Sequence, residues 1–161
     1  MREVKEIKSA QMFPIIKEIL DGGGKAWITV TGMSMYPFLR EYRDCVELSA
    51  TNIASIKRGD IVLIKRVNGE YILHRVHHME KEYFYIIGDA QQWIEGPLKP
   101  EQLLAVVTAV KRDKHQFTCQ SKWWKVLTRL WINIVPLRHL ILKGIRFYAK
   151  VSKRIVHAQT T

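Results

Sequence analysis

The alternation of apolar and polar positions changes character twice along the chain. Residues 10–20, AQMFPIIKEIL, read as a short helix, with Ser9 as its cap and Pro14 as an awkward point within it. DGGG (21–24) stops it, because glycine adopts the left-handed backbone that commonly ends helices. Strand-like runs follow at KAWITVT (25–31), CVELSA (45–50), YFYII (83–87), LLAVVTAVK (103–111) and QFTC (116–119). The pattern predicts a mainly β domain over residues 25–120, preceded by a helix and glycine-rich link over 1–24.

The clearest local signal is RGDIVLIKRVNGEYILHRVHH (58–78). Two β-type runs flank Asn68-Gly69, the preferred pair for a type I′ hairpin turn. A two-residue loop would set Val67 opposite Glu70, Lys65 opposite Ile72 and Leu63 opposite His74. Side chains alternate, so His74 would then share a face with Ile72, Val76, Ile61 and Leu63. Lys65 and Glu70 would join that face nearer the turn.

From about Ser121 the spacing becomes helical. Lys122, Lys125 and Arg129 recur at helical intervals, as do His139, Lys143, Arg146, Lys150 and Lys153. Leu130, Ile134, Leu137, Ile141, Ile145 and Tyr148 take other sides, and Pro136 is expected to kink or divide the helix. Residues 121–161 therefore read as a basic amphipathic helical tail. It could pack on the body with a solvated basic face. The sharper reading is an interfacial helix, with Trp123, Trp124 and Trp131 at headgroup depth and its cations on anionic lipid.

Charge sharpens the contrast between body and tail. Residues 1–110 hold 14 Lys+Arg and 14 Asp+Glu, whereas residues 111–161 hold 12 Lys+Arg and a single acid, Asp113. The whole net charge of +11 thus belongs to the last third of the chain. Such asymmetry points to nucleic acid or an anionic membrane surface. Nucleic acid is disfavoured, since it would not need this much apolar surface. MREVKEIKSAQ carries charges where the apolar core of a signal peptide would begin, and no run is long enough to span a bilayer. The expectation is peripheral attachment through residues 121–161, on the cytoplasmic face. Cys45 and Cys119 lack metal or redox spacing and read as small core residues, with a disulfide between them left open. Neither a metal nor a cofactor is implied, His77 and His78 included.

The candidate chemistry begins at TVTGMSMYPFLRE (29–41), where Ser34 stands between Met33 and Met35 just ahead of Pro37. A turn serine is one reading. A nucleophile is the other, and it requires a base within hydrogen-bond reach to take the hydroxyl proton. His74 can be that base, because burial among apolar neighbours keeps an imidazole neutral near pH 7. It can also be a half-buried strand histidine. Asp89 in GDAQQWIEG (88–96) is a turn aspartate or a carboxylate for the second imidazole nitrogen, and Glu95 a loop acid or that same carboxylate. Met33 and Met35 read as packing residues or walls of a substrate cleft.

GMSMYP (32–37), RGDIVL (58–63), LHRV (73–76) and GDAQQWIEG (88–96) resemble, in this order, the boxes of the signal peptidase I superfamily, which includes the LexA-type self-cleaving repressors. The likeness covers residues 26 to 110. It implies a serine endopeptidase on a small mixed-strand β domain, with Ser34 as nucleophile. His74 falls where bacterial members carry a general-base lysine, and histidine there resembles the endoplasmic-reticulum and archaeal branch. Asp89 matches that branch's invariant Asp. Glu95 occupies the position of a further carboxylate, so either acid is left to orient His74. The implied substrate is a leader or pre-peptide bound in extended form, with small residues before the cut. A non-catalytic peptide-binding module and a membrane-associated adaptor are the alternatives.

Overall fold

The computed structural model describes residues 9–145, 147 and 148. The charged opening MREVKEIK and the basic positions Arg146, Lys150 and Lys153 lie outside the described residues. Helix α1 runs Ser9–Asp21 and continues through Pro14. Gly24 N–H reaches back to Ile19 O at 2.9 Å, with Gly23 in the left-handed region at φ +76°, which is the glycine stop expected of DGGG.

The protein is mainly antiparallel β. Strands β1 (Lys25–Thr29), β2 (Asp44–Ser49), β3 (Ile61–Lys65), β4 (Tyr71–Glu80), β5 (Tyr83–Ile87), β6 (Glu95–Leu98), β7 (Leu103–Arg112) and β8 (His115–Thr118) form one sheet. Its order is β1-β2-β7-β3-β4-β5-β6, with β8 beside β7. Strand β6 was not foreseen, since EGPL carries a glycine and a proline that read as loop.

One register differs from expectation. Val62 pairs with His74, Leu63 with Leu73 and Ile64 with Ile72, a slip of one residue. The loop holds three residues rather than two: Arg66 N–H meets Glu70 O at 2.8 Å, and Gly69 takes φ +88°. That is the turn-plus-left-handed-glycine hairpin, which Asn-Gly also supports. A one-residue slip exchanges every cross-strand neighbour for the other face. His74 therefore has Val62 and Ile64 as neighbours in place of Ile61 and Leu63.

The two faces of β3 and β4 feed separate cores. Val62, Ile64 and Val76 pack with Phe84, Ile86, Leu98 and Leu103. Ile61, Leu63 and Leu73 join the larger core with α1, Met35, Phe38 and Leu39. Helix α2 (Lys122–Asn133) closes that larger core through Trp124 and Trp131. Both indoles are thus inside the protein, not at headgroup depth; of the three tryptophans only Trp123 is exposed. Pro136 divides the tail as expected, through a 3₁₀ turn Val135–Leu137 into helical residues 138–145. No helix among the described residues is long and apolar enough to cross a membrane. Cys45 and Cys119 are free and half-buried, and burial pushes the Cys119 thiol up to about 12.

Candidate active site

Ser34 lies on the long connection from β1 to β2. The connection is held from inside by Met35, Tyr36, Phe38 and Leu39, all buried. Its far end is fixed at Asp44, whose buried carboxylate accepts Arg40 N–H at 2.9 Å and Arg112 Nε and Nη2 at 3.0 and 2.9 Å. Arg112 also donates to Phe38 O at 2.8 Å. Burial would raise the Asp44 carboxyl, but the bonds from Arg112, Arg43 and the Arg40 backbone outweigh it and hold it below the usual carboxylate range.

On the other side, Ser34 O accepts the Ala90 N–H at 2.8 Å. This ties the serine to the turn that follows β5. Gly88 lets the two segments touch, because a Cβ there would lie 2.8 Å from Ser34 O and 2.7 Å from Gln91 Oε1. No larger residue fits without moving backbone.

Ser34 borders a cleft of about 490 Å³ between residues 28–32 and Tyr71–Leu73. Met12 and Phe13 of α1 close one end, with the Phe13 ring stacked on Tyr71 at 4.0 Å between centroids. Among the described residues, strand β1 pairs only with β2, and Tyr71–His74 pair with β3 but not with β5. Two stretches of backbone edge therefore stand beside the cleft with hydrogen-bonding groups to offer. Met35 lines it; Met33 is exposed instead.

His74 is one residue beyond the cleft lining and only 2% exposed. Burial pushes its imidazole down to about 4, against the opposing pull of the Glu95 carboxylate, and the Arg66 charge lowers it further. It is neutral near pH 7. Its buried Nδ1 has no hydrogen-bond partner, and the Glu95 carboxylate stands 4.0 Å away. No hydrogen bond joins Ser34 to His74 among the described residues.

The two candidate acids separate clearly. Asp89 is fully buried and takes both arms of Arg75, Nε to Oδ1 at 2.8 Å and Nη2 to Oδ2 at 2.6 Å. Arg75 faces away from His74 because side chains alternate along β4. Its Nη1 donates to Gly59 O at 2.7 Å, and its guanidinium lies over the Phe38 ring. Glu95, at the start of β6, is half-buried and takes Arg66 Nε at 2.7 Å and Nη2 at 2.5 Å. Of the two acids, Glu95 is the one that stands 4.0 Å from the free imidazole nitrogen.

Three residues that position this site were not foreseen. Arg66 at the base of the hairpin loop and Arg75 in the LHRV box each hold one of the acids. Arg75 was visible in principle, as a basic residue beside the histidine on the opposite face of a strand. Arg138 had no such signal. It is fully buried, and its Nη1 donates to Gly88 O and Gln91 O at 3.1 and 3.3 Å. Its Nε and Nη2 grip Trp131 O, while the Trp131 indole donates to Asp89 O at 3.1 Å. The tail thereby fastens the turn against which Ser34 rests.

Among the described residues no three His, Cys, Asp or Glu side chains gather to hold a metal ion. His77 and His78 meet through their Nδ1 atoms at 2.8 Å, and His78 stacks on Tyr85.

A search of curated proteins and a search of solved structures each found no match. A family model described as Peptidase S24-like matches residues 2–110, which takes in α1 as well as all four boxes. The match covers about two thirds of the sequence, and the chain belongs to the Peptidase S24-like family.

Proposed function

We propose that the protein is a serine endopeptidase that cuts a leader or pre-peptide, with Ser34 as nucleophile, His74 as general base and Glu95 as the acid that orients it. The observation that carries this reading is the pairing of a buried, neutral His74, its Nδ1 unpartnered, with a carboxylate 4.0 Å from that nitrogen. A hydrogen bond needs an approach of about 1 Å more. Catalytic contacts are often long before substrate arrives and tighten in the complex.

In this scheme Ser34 Oγ attacks the scissile carbonyl and its proton passes to His74, then to the leaving amine. Water repeats the sequence to release the acyl group. The oxyanion is held by the Ser34 N–H, which makes no hydrogen bond among the described residues, and by one further donor. The substrate lies extended in the cleft and uses the two free backbone edges, with pockets for alternate side chains. Asp89 is bound to Arg75 and acts as a structural residue that fixes β4 to the turn after β5.

A non-catalytic peptide-binding module is the second reading. It is favoured by the grip of Arg66 on Glu95 and by the lack of a hydrogen bond between Ser34 and His74 among the described residues. Incubation with a pooled peptide library, read by mass spectrometry, separates the two. Cuts clustered after small residues support the peptidase. Enrichment of uncut extended peptides by a well-folded protein supports the module and sinks the peptidase.

The role of Glu95 has its own test. The Glu95 charge raises the His74 pKa, so removing it in Glu95→Gln lowers that pKa further. The base then stays neutral to a lower pH, and the acid limb of kcat/KM moves to lower pH. The plateau rate falls by on the order of 10²–10⁴-fold as orientation and imidazolium stabilisation are lost. An unmoved limb with an unchanged plateau removes Glu95 from the site.

A further inference from the structure

Successive residues of an α-helix are rotated by about 100°, and α2 sorts its side chains into three sectors on that wheel. Trp124, Thr128, Trp131 and Ile132 are buried against the body. Lys122, Lys125 and Arg129 form a second, exposed sector, and none of them makes a salt bridge among the described residues. Trp123, Val126, Leu127 and Leu130 form the third. They are 46–59% exposed, although a helix already packed through one apolar face has no structural use for another. Exposed apolar residues continue beyond Pro136 as Leu137, Leu140 and Ile141.

We infer that the outer face of α2 docks the protein on the surface of a bilayer containing anionic phospholipid. The occupant must match two neighbouring demands, an apolar layer for the third sector and negative charge for the second. No acidic residue follows Asp113 anywhere in the sequence, so α2 itself carries no charge that repels an anionic surface. The cationic sector also borders a recess of about 250 Å³, to which Lys57 and Arg58 add two further cations and Asp60 one carboxylate. Headgroup phosphates meet the cations there while Trp123, Val126, Leu127 and Leu130 enter the acyl boundary. A nucleic acid would satisfy only the cations. The inference is independent of the catalytic reading, because none of these residues lines the cleft that Ser34 borders.

The test is co-sedimentation of the full chain with vesicles of about three parts phosphatidylcholine to one part phosphatidylglycerol, against phosphatidylcholine alone. Binding is expected only with the anionic lipid. Leu127→Glu with Leu130→Glu, and separately Lys125→Glu with Arg129→Glu, should each weaken it by about tenfold or more. Both pairs are solvent-exposed, so the variants should melt like the parent. Brominated acyl chains should quench Trp123 fluorescence, and Trp123→Phe should remove that quenching. Equal binding by both variants, or none by the parent, overturns the proposal. So does tighter binding to duplex DNA than to vesicles, or a dimer in solution that Leu127→Glu with Leu130→Glu dissociates.

Discussion

Ser34→Ala is expected to abolish peptide cleavage, a fall of about 10⁴-fold or more, and to leave the melting temperature where it was. The size follows from the chemistry. Without Oγ no acyl-enzyme forms, and what is left is the rate supplied by binding and oxyanion contacts alone. The unchanged stability follows from the structure. Ser34 makes its fixing contact through its backbone carbonyl, to Ala90 N–H, and its hydroxyl makes no hydrogen bond among the described residues. Alanine therefore costs within about 0.5 kcal/mol, as exposed or half-exposed sites usually do. Cleavage kinetics on the best library peptide, with a thermal melt of the same sample, check both halves. A loss smaller than tenfold takes Ser34 out of the chemistry. A large loss accompanied by a large drop in stability shows that the serine was holding the loop.

The second large effect is on folding, at Asp89. Asp89→Asn removes the negative partner of a guanidinium that is itself fully buried. Arg75 keeps its Gly59 carbonyl and the Phe38 ring, but neither neutralises it. Breaking a buried pair on one side typically costs about 3–5 kcal/mol, because a charge is left without compensation. For a protein of this size that lowers the melting temperature by roughly 6–20 °C. Arg75→Met with Asp89→Leu should recover part of the loss, since the desolvation of both charges disappears with them. Urea and thermal denaturation of the parent and the two variants decide it. If Asp89→Asn is as stable as the parent, the ion pair does not secure the turn after β5, and Asp89 becomes available for chemistry again.

The contrast between these two residues shows what could be read from the chain alone. The four boxes marked Ser34, His74, Asp89 and Glu95 by type and order, and the strands around them follow from runs of strand-forming residues, except β6, whose Gly96 and Pro97 read as loop. Choosing between the acids required knowing what each faces. Alternation along β4 turns Arg75 away from His74 and onto Asp89, and this pairing is not a property of either box by itself. Asn68-Gly69 announced the hairpin but fits two loop lengths, and the difference of one residue decided which apolar side chains surround His74. The tail was legible as helical and basic. That Trp124 and Trp131 turn inward while Trp123 turns outward depends on a packing partner, Phe38, 86 positions earlier than Trp124 and 93 earlier than Trp131. Local composition is blind to separations of that kind.

Arg138 carries a consequence for how the protein comes into being. Its guanidinium supplies donors to the carbonyls of Gly88 and Gln91, 50 and 47 positions earlier in the chain. During synthesis those carbonyls wait until residue 138 has been made and has left the ribosome. A polypeptide ending at residue 110, where the family likeness stops, would hold every box and still leave that turn without its fastening. The region that looks like an appendage is therefore the one that completes the turn against which Ser34 rests, and that turn lacks its fastening until residue 138 is available.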